Sequence, residues 1–162
     1  MSTADREISA RRLLDAPCEL VFDVWTDPQH VAVWWGPNGF TNTVHEMDVR
    51  AGGNWRFTMH GPDGIDYPNE VHYIEVKRPE RMVYTHGAGA NDPDAFRVTV
   101  TFEAVGNKTM LAFQILFNTA EQRNQVVDKF GAVEGLNQNL DRFESFLRKG
   151  RLANMAEAQR IS

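Results

Sequence analysis

The sequence is poor in the residues that build covalent and metal-bound centres. It has one cysteine, Cys18, and five histidines among 162 residues. A single cysteine excludes an intramolecular disulfide and a metal site made of several thiolates. The histidines show neither an HxH nor an HxxxH spacing, so they do not pair as metal ligands along a strand or a helix. We therefore expect no metal, and interpret the histidines as exposed or hydrogen-bonded side chains.

Long apolar runs and an excess of basic charge are also missing. No apolar run approaches the roughly 20 residues of a membrane-spanning helix, and the first residues, MSTADREIS, contain no apolar signal segment. The net charge of −5 at pH 7 argues against a nucleic-acid surface, which is normally basic. We expect a cytoplasmic protein with no membrane span and no nucleic-acid partner.

Signatures of catalysis are absent as well. The glycine-rich stretch Gly87–Asn91 falls short of a phosphate-binding loop and lacks its lysine, so it predicts a loop at the rim of a cavity. Cys18 falls in the first turn of a predicted helix, a position that activates thiols in some enzymes. A free cysteine is more often a small buried hydrophobe. The sequence therefore identifies no catalytic residue and no cofactor, and it favours a binding protein over an enzyme.

Aromatic surface, by contrast, is concentrated in one short segment. Three of the four tryptophans lie between Val21 and Phe40. Asp15-Ala16-Pro17 and Asp27-Pro28 predict two helix starts, because aspartate caps a helix and proline is tolerated in its first turn. Gly36-Pro37 ends the second helix. Helices this short are marginal alone, so we expect tryptophan contacts to secure them and residues 17–35 to form a movable gate.

From about Thr41 onward, apolar and polar residues alternate with a period of two, which predicts strands. Trp55, Phe57 and Met59 alternate with polar residues, as in a half-buried strand. Similar runs cover residues 67–76, 81–86, 96–102 and 109–117, and residues 6–14 form a first strand. Short turns rich in glycine or proline separate these runs, which favours an antiparallel meander.

One long helix is predicted after the strands. Asn118 or Thr119 provides its cap, and apolar residues recur at steps of three and four from Val126 to Leu147, before Gly150 ends it. The predicted fold class is α+β, a helix-grip in which a curved antiparallel sheet of about seven strands wraps around the C-terminal helix. Residues 6–149 form this domain, and residues 150–162 form a C-terminal tail.

A cavity is expected between the sheet and the helix, because a curved sheet does not meet a straight helix along its whole length. Such cavities bind apolar ligands with a few polar groups. Each aromatic residue is also well explained as plain core. Asn137 lies beside the sheet-facing stripe on a helical wheel and needs partners from the sheet or from a ligand. The predicted lining residues are Trp35, Trp55, Phe57, Met59, Tyr73, Tyr84, Phe113, Phe130, Leu136 and Asn137.

Several motifs together resemble a known superfamily. They are the helix pair at Val21–Pro28, the stop at Trp34–Pro37, the Asp48–Trp55 segment with its two glycines, the Arg78–Met82 turn, and a last strand ending in Phe117. Over about residues 6–149 the chain is similar to the START-like superfamily (SRPBCC, birch-pollen-allergen-like). Within it, the chain most resembles the group named for the activator of the heat-shock chaperone ATPase. This group often has Gly-Trp where this chain has Gly135-Leu136.

The resemblance implies the helix-grip fold more firmly than any function. Relatives include lipid carriers, polyketide cyclases, proteins that bind a toxic metabolite, and chaperone activators. A cyclase-like enzyme would use Tyr73, Tyr84, His86 and Asn137. A chaperone ATPase co-regulator would act through its surface, but no second partner-binding domain supports that reading. The sequence does not decide whether the protein forms a homodimer. We expect a container for a small hydrophobic ligand, aromatic or lipid-like.

Overall fold

The computed structural model describes residues 3–89 and 91–161, and for Phe130 and residues 151–161 it describes the backbone alone. A 3₁₀ turn at Ala4–Arg6 precedes the first strand. The strands are β1 (Glu7–Leu14), β2 (Thr41–Met47), β3 (Asn54–His60), β4 (Asp66–Lys77), β5 (Arg81–Gly87), β6 (Phe96–Val105) and β7 (Lys108–Leu116). The helices are α1 (Cys18–Thr26), α2 (Pro28–Trp34), α3 (Ala120–Phe130) and α4 (Ala132–Ile161).

The strands form one antiparallel sheet in the order β1-β7-β6-β5-β4-β3-β2. Strands β2 to β7 follow one another as a meander, and β1 joins the far edge by pairing with β7. Alternating side chains of each strand face inward, where α1, α2 and α4 cover them. The predicted α+β helix-grip with a curved sheet of seven strands is therefore confirmed.

Glycines set the turn between β2 and β3. Gly52 has a φ of +87°, which suits glycine, and its N–H donates to the Tyr73 carbonyl. A Cβ on Gly53 would lie 2.1 Å from the Asp48 carbonyl oxygen, so no larger residue fits there. The Arg50 side chain donates to Asp48 at 2.8 Å. The Asp48–Gly53 motif thus builds a turn and bonds it to β4.

The two short helices form where expected, and the second is capped as expected. The Asp27 carboxylate accepts from the Gln29 N–H at 2.8 Å. The predicted Asp15 cap is wrong, because Pro17 occupies the cap position of α1 and makes no side-chain cap bond. Trp34 and Trp35 are 1% and 4% exposed, so both belong to the core.

The C-terminal segment was predicted to form one helix, and this prediction is wrong because the segment forms two helices, α3 and α4. Gly131 adopts the left-handed conformation, with a φ of +58°, and ends α3. Thr119 caps α3 by accepting from the Gln122 N–H, and the Gln122 side chain accepts from the Asn118 N–H. Helix α3 packs beside the N-terminal turn and β1, whereas α4 packs against β1 and α2. Helix α4 also continues through Gly150 instead of ending there.

No helix within residues 3–89 and 91–161 is both long enough and apolar enough to cross a membrane.

Candidate functional site

The interior of the domain is closed at one end and half-open at the other. Around Trp25, side chains from both short helices, two strands and α4 form a sealed aromatic cluster. At the opposite end of the sheet, five inward-facing residues are only partly buried. These residues, here called the half-open row, are Met59, Asn69, His86, Phe96 and Ile115.

A cleft of about 610 Å³ opens beside this row. One wall comes from the loop of residues 35–40 and from β3 and β4, and the other comes from the α3–α4 junction. A Cβ on Gly135 would lie 3.5 Å from Pro37 Cγ, in ordinary van der Waals contact, so α4 approaches the loop closely at this point. The lining residues of this mouth cleft are Pro37, Phe40, Met59, Tyr67, Asn69, Gly131, Glu134, Gly135 and Gln138.

Two polar side chains meet in the half-open row. The Asn69 Nδ2 donates to the Tyr67 carbonyl at 2.9 Å, which orients the amide. Its Oδ1 lies 2.8 Å from His86 Nε2, so Nε2 carries the hydrogen and His86 Nδ1 is an acceptor. The imidazole lies between the rings of Phe57 and Phe96. Burial lowers the pKa of His86 to about 4, so the ring is neutral near pH 7.

The neutral His86 makes stability depend on pH. Its pKa is about 4 when folded, against an ordinary value of 6.5, so only the unfolded chain binds the proton between these values. Stability therefore falls as pH drops from about 6.5 to about 4, by roughly 3.4 kcal/mol at most. We expect His86→Gln to flatten this part of the curve of unfolding free energy against pH. The exposed control His45→Gln should keep the wild-type slope, and parallel curves for His86→Gln and wild type would contradict the assignment.

Deeper in the sheet lie three large polar aromatics. Trp55, Tyr73 and Tyr84 are 2%, 3% and 1% exposed. The Tyr73 and Tyr84 rings meet edge to face with centroids 5.8 Å apart. Burial raises the pKa of both tyrosines, and the nearby Asp48 carboxylate raises that of Tyr73 further. Both hydroxyls therefore stay protonated and remain donors.

Most of the predicted lining residues face the interior. Buried positions are Trp35, Trp55, Phe57, Tyr73, Tyr84, Phe113 and Leu136, and Met59 is partly buried at the mouth cleft. The side chain of Phe130 lies outside the described residues.

Asn137 is the predicted lining residue that the structure places elsewhere. It is exposed, its Nδ2 donates to the Val133 carbonyl, and its Oδ1 accepts from Arg12 at 3.2 Å. Val133, one of the apolar residues that recur between Val126 and Leu147, is 41% exposed. The break at Gly131 resets the phase of the helix, so the buried stripe of α4 runs through Leu136, Asn139 and Leu140. A helical wheel drawn through the break therefore misplaced Asn137.

Three residues of α4 that sequence reasoning missed hold the loop of residues 35–40. The Asn139 side chain accepts from the Gly36 N–H at 3.1 Å, and the Gln138 side chain accepts from the Asn38 N–H at 3.0 Å. The Arg142 guanidinium donates to five carbonyl oxygens at 2.7–3.1 Å, those of Val33, Trp35, Gly36, Pro37 and Phe40. These side chains are about 100 residues from the loop in sequence, so no local pattern points to them. We call Gln138, Asn139 and Arg142 the loop clasp.

Metal ligation finds no support in the part of the chain that the structure describes. No three histidine, cysteine, aspartate or glutamate side chains there are grouped so that they could hold a metal ion. Cys18 is partly buried, and its sulfur lies 3.4 Å from the Thr109 hydroxyl and 3.6 Å from the Phe102 carbonyl. Its surroundings are those of a core residue.

The family model described as "Activator of Hsp90 ATPase homolog 1-like protein" matches residues 15–148. The chain belongs to this family. The resemblance inferred from the tryptophan and glycine motifs is thereby confirmed, and with it the START-like fold. Members of this family typically bind ligands or act as co-chaperones. No curated protein matches the chain significantly.

Solved structures of similar shape come from several bacteria. A protein from Arthrobacter aurescens superposes with a TM-score of 0.83 at 22% identity, covering 92% of this chain and 90% of its own. Protein Ms6760 from Mycobacterium smegmatis superposes with a TM-score of 0.79 at 23% identity, covering 90% of this chain and 93% of its own. Protein NE0264 from Nitrosomonas europaea gives 0.79 at 21% identity, with coverages of 91% and 97%. At these identities the likeness concerns the fold alone.

Proposed function

We propose that this protein binds a small, mainly apolar molecule between the sheet and its C-terminal helices. The observation that carries the proposal is the half-open row, where inward-facing residues of five strands are only partly buried. The mouth cleft gives this row a route to solvent, with the apolar walls of Pro37, Phe40 and Met59. Ligand sites typically combine such apolar walls with a few fixed polar groups, and here Asn69 and His86 are those groups.

Binding is favoured over proton-transfer chemistry by the pKa values of the interior groups. General acid–base catalysis works best with groups whose pKa lies near the working pH. His86 has a pKa of about 4, and burial raises that of Tyr84 well above its ordinary value. Neither group exchanges a proton readily at neutral pH. The exposed position of Asn137 also removes one of the four residues on which a cyclase-like reading depended.

A neutral fluorescent dye tests the proposal. N-phenyl-1-naphthylamine should bind the purified protein saturably, with one dye per chain, because it is apolar and uncharged. Met59→Trp should weaken this binding about 10-fold or more, because extra volume at a packed site costs about 1–3 kcal/mol. Met59 lines both the row and the mouth cleft, so the larger ring intrudes on the dye.

Val105→Trp is the matched control for this test. Val105 is 47% exposed and ends β6 at the opposite end from Phe96. This variant should bind the dye as the wild type does. Absence of saturable binding to the wild type, or equal affinities for the wild type and Met59→Trp, would overturn the proposal. If the dye binds as expected, native mass spectrometry of protein from its own host should identify the natural ligand by its mass.

A further inference from the structure

Among the residues that the structure describes, Trp55 and Tyr84 each point a hydrogen-bond donor into the interior with no acceptor. The Trp55 indole Nε1 and the Tyr84 hydroxyl are both fully buried, and neither has a hydrogen-bond partner among the described residues. A buried polar group without a partner costs about 1–3 kcal/mol, and such groups are rare in native proteins. Two of them on the inner face of one sheet indicate that something else supplies the acceptor.

The strand register fixes how far apart the two donors lie on the sheet. Trp55 pairs with Val71 on β4, and Tyr84 pairs with Tyr73, two residues further along the same strand. The two donors therefore come from strands on either side of β4, with Cα atoms about 12 Å apart by standard strand spacing. Val71 also pairs with His86, so the donors adjoin the half-open row.

The interior lacks any charge that would hold an anion. In the described part of the chain, the buried polar or charged residues are Thr109 and Asn139. Thr109 donates to the Ala16 carbonyl, and Asn139 accepts from the Gly36 N–H. The described part of the chain has no buried arginine or lysine that could neutralise a ligand carboxylate. Burying an unpaired charge costs far more free energy than burying a neutral polar group.

We propose that the ligand carries an uncharged oxygen acceptor, such as a ketone, ester or amide carbonyl, held by the Trp55 indole N–H and the Tyr84 hydroxyl. This inference rests on the proposed binding function and names the chemical class of its ligand. The raised pKa of Tyr84 keeps its hydroxyl a donor, and the lowered pKa of His86 keeps that ring neutral. A fatty acid in its ionised form does not fit this interior, although an ester or ketone of similar size does.

Three naphthalene probes of similar size separate these possibilities. 2-Acetylnaphthalene carries a neutral carbonyl, 2-ethylnaphthalene lacks the acceptor, and 2-naphthoate carries a charge. Isothermal titration of the wild type should give about 10-fold or tighter binding for the ketone than for the ethyl compound, since each hydrogen bond contributes about 1 kcal/mol. The naphthoate should bind more weakly than the ketone. The quantity to follow in variants is the ratio of ketone to ethyl affinity, which a merely structural change does not move.

Conservative variants assign the contact to its residues. Tyr84→Phe and Trp55→Phe should each lower the ketone-to-ethyl ratio about 5-fold, leaving the affinity for 2-ethylnaphthalene within about 3-fold of wild type. Tyr73→Phe is the control, because Tyr73 is equally buried and touches Tyr84, yet its hydroxyl is not one of the two unpartnered donors. It should leave the ratio unchanged.

The outcomes distinguish this inference from the function on which it rests. If none of the probes binds the wild type, the binding function itself fails. If the ethyl compound binds as tightly as the ketone, water satisfies the donors and the inference fails while the binding function stands. A naphthoate that binds more tightly than the ketone, or an unchanged ratio in Tyr84→Phe, would also overturn it.

Discussion

Arg142→Ala is expected to lower the free energy of unfolding by about 2–4 kcal/mol and to loosen the loop of residues 35–40. Hydrogen bonds from a charged donor contribute about 1.5–3 kcal/mol each, but bonds that share one donor group do not add fully. The guanidinium of Arg142 serves five carbonyl oxygens, including those of Trp35 and Pro37. Without it, these partly buried carbonyls lose their partner, and only some can turn toward water.

Urea unfolding and hydrogen exchange measure the two parts of this effect. The Gly36 and Asn38 amides, which donate to Asn139 and Gln138, should exchange faster in Arg142→Ala. Arg142→Lys keeps the charge but not the planar set of donors, so it should recover only part of the lost stability. Arg148→Ala removes an exposed arginine from the same helix and should change stability by less than about 0.5 kcal/mol. If Arg142→Ala lowered the free energy of unfolding by a similarly small amount, the loop would keep its conformation without the hydrogen bonds from Arg142.

The loop clasp also connects stability to the proposed site. Residues 35–40 form one wall of the mouth cleft through Pro37 and Phe40, and the clasp fixes this wall to α4, which forms the other wall. The tryptophans of the short helices are core residues, and the aromatic cluster holds them firmly. The movable gate of residues 17–35 stays a prediction.

Features that depend on neighbours in sequence were predictable. The alternation of Trp55, Phe57 and Met59 predicts β3 because side chains of a strand point to opposite faces in turn. The Asp27-Pro28 start predicts α2 because both residues act within one helical turn. The meander followed from the short turns, since a connection of a few residues permits little besides antiparallel neighbours.

Features that depend on three-dimensional packing were not predictable in the same way. Gly131 fits a helix interior at a small cost and a helix end equally well, so its left-handed conformation follows from where α3 and α4 must pack. In α4, which begins after Gly131, Asn139 is buried and Asn137 is exposed. The bonds from Arg142 join segments more than 100 residues apart, and neither segment carries a local sign of the other. The unpartnered Tyr84 hydroxyl likewise becomes visible only once every neighbour is in place.

Trp25→Ala is expected to have the largest effect of any single substitution considered, a loss of about 4 kcal/mol in unfolding free energy. Burial of the indole removes a large apolar surface from water, and replacing a buried tryptophan by alanine costs about 3–5 kcal/mol. Trp25 is 3% exposed and contacts rings from every element around the closed end of the interior. Those rings belong to Trp34, Trp35, Phe102, Phe113 and Phe143, with centroids 4.8–6.2 Å away.

Thermal and urea unfolding of Trp25→Ala, Trp25→Phe and Val33→Ala provide the test. Trp25→Phe keeps part of the aromatic contact and should cost about half as much as alanine. Val33 lies in the neighbouring helix but is 57% exposed, so Val33→Ala should stay within about 0.5 kcal/mol of wild type. A Trp25→Ala protein as stable as Val33→Ala would mean that the closed end can collapse around the missing indole. In that case α1 would be attached by its other buried residues, Val21, Phe22 and Val24, and the cluster would not be what seals this end of the interior.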